Sequence, residues 1–184
     1  MVGLAVLAFA AAASLTGSVL LLESAAEVDS RTAAIRATVQ GAIVALYYDD
    51  FPPDDYAGGP LPSAAAATIR DRVVTDIRRY FSTEAEAKYE PLLLNVVDGI
   101  GTSDWDAAGG ISTIDWQPVT TDANHATVQL RTTEWVVRRG GQFGTSPSAT
   151  YRIDSSYDWG FSLISTDDRW LVDGFGFTCV AGCP

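Results

Sequence analysis

Near Gly99 the spacing of apolar residues changes from a helical period to an alternating one, so the chain must combine a helical half with a sheet half. Before that point Ile35, Val39, Ile43 and Leu46 recur at helical spacing, predicting a helix over 24–48 with Arg31 and Arg36 toward solvent. Asp49-Asp50-Phe51-Pro52-Pro53-Asp54-Asp55 ends it, and Gly58-Gly59-Pro60-Leu61-Pro62 extends a loop. Ser63 is the expected N-cap of a second helix whose stripe is Ile69, Val73, Ile77, Tyr80 and Phe81. Thr83 with Glu86 fits a capping box for a third, short helix. Pro91 is expected to disturb that helix, with Leu92-Leu93-Leu94, Val96 and Val97 continuing it at an angle.

After Gly99, four glycines at 99, 101, 109 and 110 frame an expected acidic loop holding Asp104, Trp105 and Asp106. Residues 111–119 read as a strand. Ala126, Val128, Leu130, Thr132, Glu134 and Val136 then alternate with Thr127, Gln129, Arg131 and Thr133. Arg138-Arg139-Gly140-Gly141 is expected to open a polar hairpin loop through Ser148. Tyr151, Ile153, Tyr157, Trp159, Phe161 and Leu163 face one way on the next strand, with Arg152, Asp154, Ser156, Asp158 and Ser162 on the other. A turn at Asp167-Asp168 precedes a closing strand, Arg169 to Phe175. The fold class implied is α+β: about three helices packed on a curved four-stranded antiparallel sheet.

The first 22 residues carry no charge, and every Lys, Arg, Asp and Glu lies after them. Such a run is about long enough to cross a ~30 Å hydrocarbon layer, so residues 1–22 are expected to be a transmembrane anchor and 23–184 a soluble domain. A cleaved signal and a buried soluble helix are the competing readings. Glu23, Glu27 and Asp29 precede the first Arg31, which favours an extracytoplasmic position for the domain. An oxidising compartment would let the two cysteines, Cys179 and Cys183, form a disulfide through a turn at Gly182; two free thiols are the alternative. Net charge −11 argues against nucleic acid and anionic lipid surfaces as partners. A single His and a single Cys pair argue against a zinc site, and no cofactor is expected.

The element order resembles the nuclear-transport-factor-2-like, or cystatin-like cone, architecture. Asp168-Arg169-Trp170-Leu171-Val172-Asp173 resembles the ending of the last strand in many such domains. With the charge-free leading segment and Ala45-Leu46-Tyr47-Tyr48-Asp49-Asp50-Phe51 closing the first helix, the chain is similar to actinobacterial Mce-associated membrane proteins. The Pro-rich 52–62 loop, the Gly-rich 99–110 loop and the terminal cysteines depart from that family. The resemblance implies an accessory or scaffold subunit of a lipid-import complex rather than an enzyme. Bitopic components of type IV secretion and conjugation machines share the layout.

Glu134 is the candidate catalytic residue of the enzyme alternative. A carboxylate on an apolar strand face is a candidate proton-transfer base for an isomerase or dehydratase, unless the alternation breaks there or Arg131 or Arg152 pairs with it. Tyr47, Tyr48, Tyr157 and Trp159 are expected to line the same pocket, which serves equally an apolar-ligand carrier. His125 is expected in a solvated turn, and Asp49, Asp50, Asp54 and Asp55 in a solvated acidic loop, since the intervening prolines forbid an EF-hand. No nucleophile or phosphate-loop motif occurs. The expected partners are other envelope proteins, the bilayer through residues 1–22, and a second copy through the open sheet face.

Overall fold

The computed structural model describes residues 27–48, 50–100, 105–140, 149–167 and 169–183. The expected anchor, 1–22, lies outside them. Among the described residues, no helix is long and apolar enough to cross a membrane. The chain divides into two compact units between Arg36 and Ala37.

The first described element, α1, covers residues 27–47. Its second-unit portion buries Val39, Ala42, Ile43 and Ala45, a stripe at the three-and-four spacing that puts side chains on one helix face. Helix α2 is Ser63–Tyr80 and buries Ile69, Val73 and Ile77. Its N-cap is Pro62, with no side-chain cap, so Ser63 lies inside the helix rather than capping it. Arg78 and Arg79 in the last turn face the negative end of the helix dipole.

Helix α3, Thr83–Gly99, is capped one residue earlier than the Thr83 expectation. The Ser82 hydroxyl accepts the Ala85 N–H at 3.2 Å and donates to Asp173 at 2.7 Å. Glu86 instead takes a hydrogen bond from Arg78 at 2.9 Å. The helix is one continuous element of 17 residues, with Pro91 inside it. Pro91 is solvent-exposed, so the carbonyl deprived of its N–H partner can be hydrated and the helix runs on.

Five strands follow: β1 Trp105–Trp116, β2 Thr120–Thr121, β3 His125–Gly140, β4 Ala149–Thr166 and β5 Arg169–Ala181. They pair antiparallel in the order β1-β3-β4-β5, with β2 beside β3. The expected meander is present with longer strands. Trp105, Asp106, Gly109 and Gly110 lie in β1, paired with Arg139, Arg138, Val136 and Trp135, and not in a loop. Gly109 serves close approach there: a Cβ would lie 2.9 Å from both the Phe51 and Tyr48 rings. Arg138 and Arg139 likewise belong to β3 rather than to a hairpin loop, while 141–148 are outside the described residues. Bulges interrupt β1 twice and the β4–β5 ladder twice, each increasing local twist.

Period-2 patterning holds along β3, where Ala126, Val128, Leu130, Thr132 and Glu134 are all buried. On β4, Trp159, Phe161 and Leu163 fill the same face. The Trp159 and Phe161 rings stack 5.5 Å apart, and Phe175 joins Phe161, Phe81 and Tyr89 at 4.6–6.2 Å. A second cluster joins Tyr56, Ile69, Val73, Val97, Ile100 and Trp105, tying α2 and α3 to the start of β1. Each such fully buried side chain contributes about 1.5–3 kcal/mol of transfer free energy.

Candidate functional site

Thr132 and Glu134 are neighbours on the inner face of β3 because they are two residues apart on a strand. The end of α1 brings Tyr47 and Tyr48 over them. Glu134 is only 4% exposed, and its carboxylate is held by hydroxyl donors. Tyr48 Oη donates to Oε2 at 2.8 Å, and Thr132 Oγ1 donates to Oε1 at 2.5 Å. The Thr132 hydroxyl in turn accepts from Trp159 Nε1 at 3.0 Å. The result is a chain, Trp159 to Thr132 to Glu134, met from the other side by Tyr48. A buried polar group is costly unless it is hydrogen-bonded, and these two hydroxyls offset the burial of Glu134.

Neither arginine considered for Glu134 pairs with it. Arg131 is bidentate to Asp158 at 2.7 and 2.9 Å on the exposed face. Arg152 binds Asp154 at 2.7 Å and lies over the Trp135 ring at 4.9 Å. The alternation through Glu134 is unbroken. Burial pushes the Tyr48 phenol above its ordinary range, and the negative field and hydrogen bond of Glu134 push it further. Tyr47 is raised by burial first, then by Tyr157 and Glu134. Both phenols therefore remain protonated donors at neutral pH.

A cavity of about 140 Å³ adjoins the carboxylate, lined by Tyr47, Glu134, Val136, Ile153, Ser155 and Tyr157 and by the Asp106–Arg138 pair. That ion pair is bidentate, at 2.8 and 3.1 Å. The space is comparable to cavities that admit a benzene-sized guest, and well short of the ~300 Å³ at which drug-sized ligand pockets begin. Of the residues the sequence nominates, Tyr47, Glu134 and Tyr157 meet at this cavity. Tyr48 reaches Glu134 but lines a separate surface cleft with Phe51, Pro52 and Arg72. Trp159 is not in the cavity wall; it is 2% exposed and packs edge-on against Tyr47 at 5.4 Å. Thr132, Ser155 and the Asp106–Arg138 pair went unnominated. Thr132 was legible, sitting two residues from Glu134, whereas Asp106 depended on a strand register that glycines disguised.

The C-terminal turn is fastened beside this cavity. A disulfide joins Cys179 and Cys183, so the free-thiol alternative does not hold. Gly182 supplies the turn at φ +67°, and Ser155 Oγ, from the cavity wall, donates to its carbonyl at 2.6 Å. His125 is exposed, as expected, and 3.3 Å from Asp122, but it is the first residue of β3, paired with Ile164, rather than part of the turn before it. The acidic loop departs from expectation at one residue. Asp54 and Asp55 are exposed, but Asp50 is tucked in: burial and the nearby Asp106 raise its carboxyl to about 6, against a backbone hydrogen bond and Arg72 that lower it. Asp49 lies outside the described residues. Among those described, no group of three or more His, Cys, Asp or Glu could hold a metal ion.

No protein-family model matches the chain, and no curated protein matches it. Among solved structures, it is similar to the intermembrane space region of the chloroplast protein ARC6, with TM-score 0.47 and 9% identity over 60% of this chain and 81% of that one. It is also similar to an Ntf2-like protein involved in plasmid conjugation, with TM-score 0.33 and 15% identity over 74% of this chain and 46% of that one. The α+β assignment rests on the strand register described above and not on these likenesses.

Proposed function

We propose that the chain is a non-enzymatic accessory or scaffold subunit of a bacterial cell-envelope complex, held in the membrane by residues 1–22 with its α+β domain outside the cytoplasm. Mce-type lipid import is the leading setting, and a type IV secretion or conjugation machine is the alternative within the same reading. The observation that carries it is how Glu134 is used. The carboxylate nominated as a base is engaged by Tyr48 and Thr132, linking α1 to β3, and the aromatic cluster leaves only about 140 Å³ beside it. An interior committed to holding the fold points to work done at the surface. The Cys179–Cys183 disulfide supports an oxidising compartment, where such bonds persist.

The test is gentle detergent extraction of the full chain from its own membranes, with identification of the subunits that come with it. The reading expects the chain in the membrane fraction, associated in fixed ratio with other envelope proteins. A chain recovered from the soluble fraction, or one that stays partnerless under mild extraction, would refute it.

A second reading has one observation in its favour: Glu134 lines the cavity together with two tyrosines, Tyr47 and Tyr157. In that reading a small apolar substrate enters and Glu134 moves a proton. Loss of turnover in Glu134→Gln, with folding intact, would favour it over the scaffold.

A further inference from the structure

The two edges of the sheet are not alike. The β1 edge is interrupted by two bulges and carries Asp106 and Asp115, devices that discourage another strand from pairing there. At the other edge, β5 pairs with β4 along its length. Its beginning is covered on the far side as well. Ser82 donates its N–H to Val172 O at 2.8 Å, Phe81 bridges Val172, and Thr38 Oγ1 donates to Trp170 O at 3.3 Å. Beyond Asp173, no described strand lies alongside β5 on that side.

Between its flanking bulges this stretch lacks the charges and prolines that usually protect an edge. From Gly174 to Ala181 it contains no charged residue and no proline, in a chain of net charge −11. Gly174–Cys179 runs in uninterrupted register between the two bulges of the β4–β5 ladder, opposite Ser162 through Tyr157. Its side chains are apolar or small, and Phe177 and Val180 are each 48% exposed. The open sheet face is different in kind: Thr127, Gln129, Arg131, Asp158, Ser162 and Thr178 are exposed there, and Arg131 is already paired with Asp158. Water suits that face, so it needs no cover.

We infer that a second copy of this chain pairs antiparallel with β5 along Gly174–Cys179, joining the two β1-β3-β4-β5 ladders edge to edge about a two-fold axis near Phe177. Such a contact is isologous, each segment meeting itself. It satisfies the free N–H and C=O groups of both edges and sets the two Phe177 rings near one another. Between two acidic molecules it also brings together a stretch with no charge on either side, so the approach meets little local repulsion. This replaces the sheet face, expected from sequence, with the sheet edge as the self-association surface.

The test uses the full chain in mild detergent, with sedimentation across a wide concentration range and amide hydrogen exchange in parallel. A reversible dimer is expected, with protection at Gly174–Cys179 that rises with concentration. Gly176→Lys and Thr178→Lys each set two like charges on one face as diagonal neighbours across the axis. A Cβ at Gly176 meets nothing within 4 Å, and Thr178 is exposed, so both variants are compatible with the monomer fold. Each should weaken dimerisation at least about tenfold, since juxtaposed like charges cost more than the ~1.4 kcal/mol that a factor of ten requires. Ser112→Lys on the β1 edge should leave it unchanged. The inference is overturned by a monomer at every concentration, by a dimer indifferent to both β5 variants when each folds, or by edge amides whose exchange ignores concentration.

Discussion

A carboxylate at 4% exposure has to recover the hydration it gives up, and Glu134 does so through two hydroxyls rather than a cation. Removing one donor leaves a buried carboxyl oxygen without its partner. Tyr48→Phe is expected to cost roughly 1–3 kcal/mol in urea unfolding, the range for leaving a buried polar atom unsatisfied. Thr132→Val removes the other donor and also strands Trp159 Nε1. Because both substitutions act on the same carboxylate, the double variant should depart from the sum of the singles by at least about 0.5 kcal/mol. Simple additivity would mean that the network is not coupled. Asp50 makes a contrasting prediction. Its carboxyl sits at about 6 in the fold against an ordinary 3.8, so folding favours the protonated form. That contribution is fully present below about pH 4 and is lost as pH rises through about 6, ending at roughly 3 kcal/mol at most. Asp50→Asn should remove this slope and be the more stable protein at pH 7. Equal pH profiles for the two proteins would contradict the burial of Asp50.

At the scale of elements, Ser82 does two jobs: it caps α3 and it hydrogen-bonds Asp173 on β5. Ser82→Ala is therefore expected to cost about 1–2 kcal/mol by thermal or chemical unfolding, while Thr83→Ala should be near neutral. The reverse ranking would restore Thr83 as the cap. Three of the five α2 stripe residues named from sequence, Ile69, Val73 and Ile77, are the helix's buried face, and the inward row of β3 was readable down to Glu134. In both cases the pattern repeats over many residues, so one anomaly cannot hide it. Single residues misled. Gly109 and Gly110 read as loop because what they accommodate on β1, the Tyr48 and Phe51 rings at Gly109 and the Trp135 ring at Gly110, is tertiary. Pro91 read as a disturbance because its exposure, which makes it tolerable, is not a local property. The candidate site divides the same way. Glu134, Tyr47 and Tyr157 came from alternation and helix phase, but Asp106 required the β1–β3 register and Ser155 the docking of the C-terminal turn.

For the molecule as a whole, the claim is that the interior serves the fold and the exterior serves the function. The inner face of the sheet is occupied by stacked aromatics and one satisfied carboxylate, and the paired charges Arg131–Asp158 and Arg152–Asp154 lie exposed on the sheet. The uncharged β5 edge is also a surface feature, and unlike that exposed face it carries no charge. Stability and association should therefore respond to different substitutions. The most direct measurement is co-purification of Glu134→Gln from its own membranes beside the unsubstituted chain, with the melting temperature of each recorded. The expected result is a lower melting temperature with the same associated subunits in the same ratio. An unchanged melting temperature with those subunits lost would place the function inside the cavity and contradict the claim.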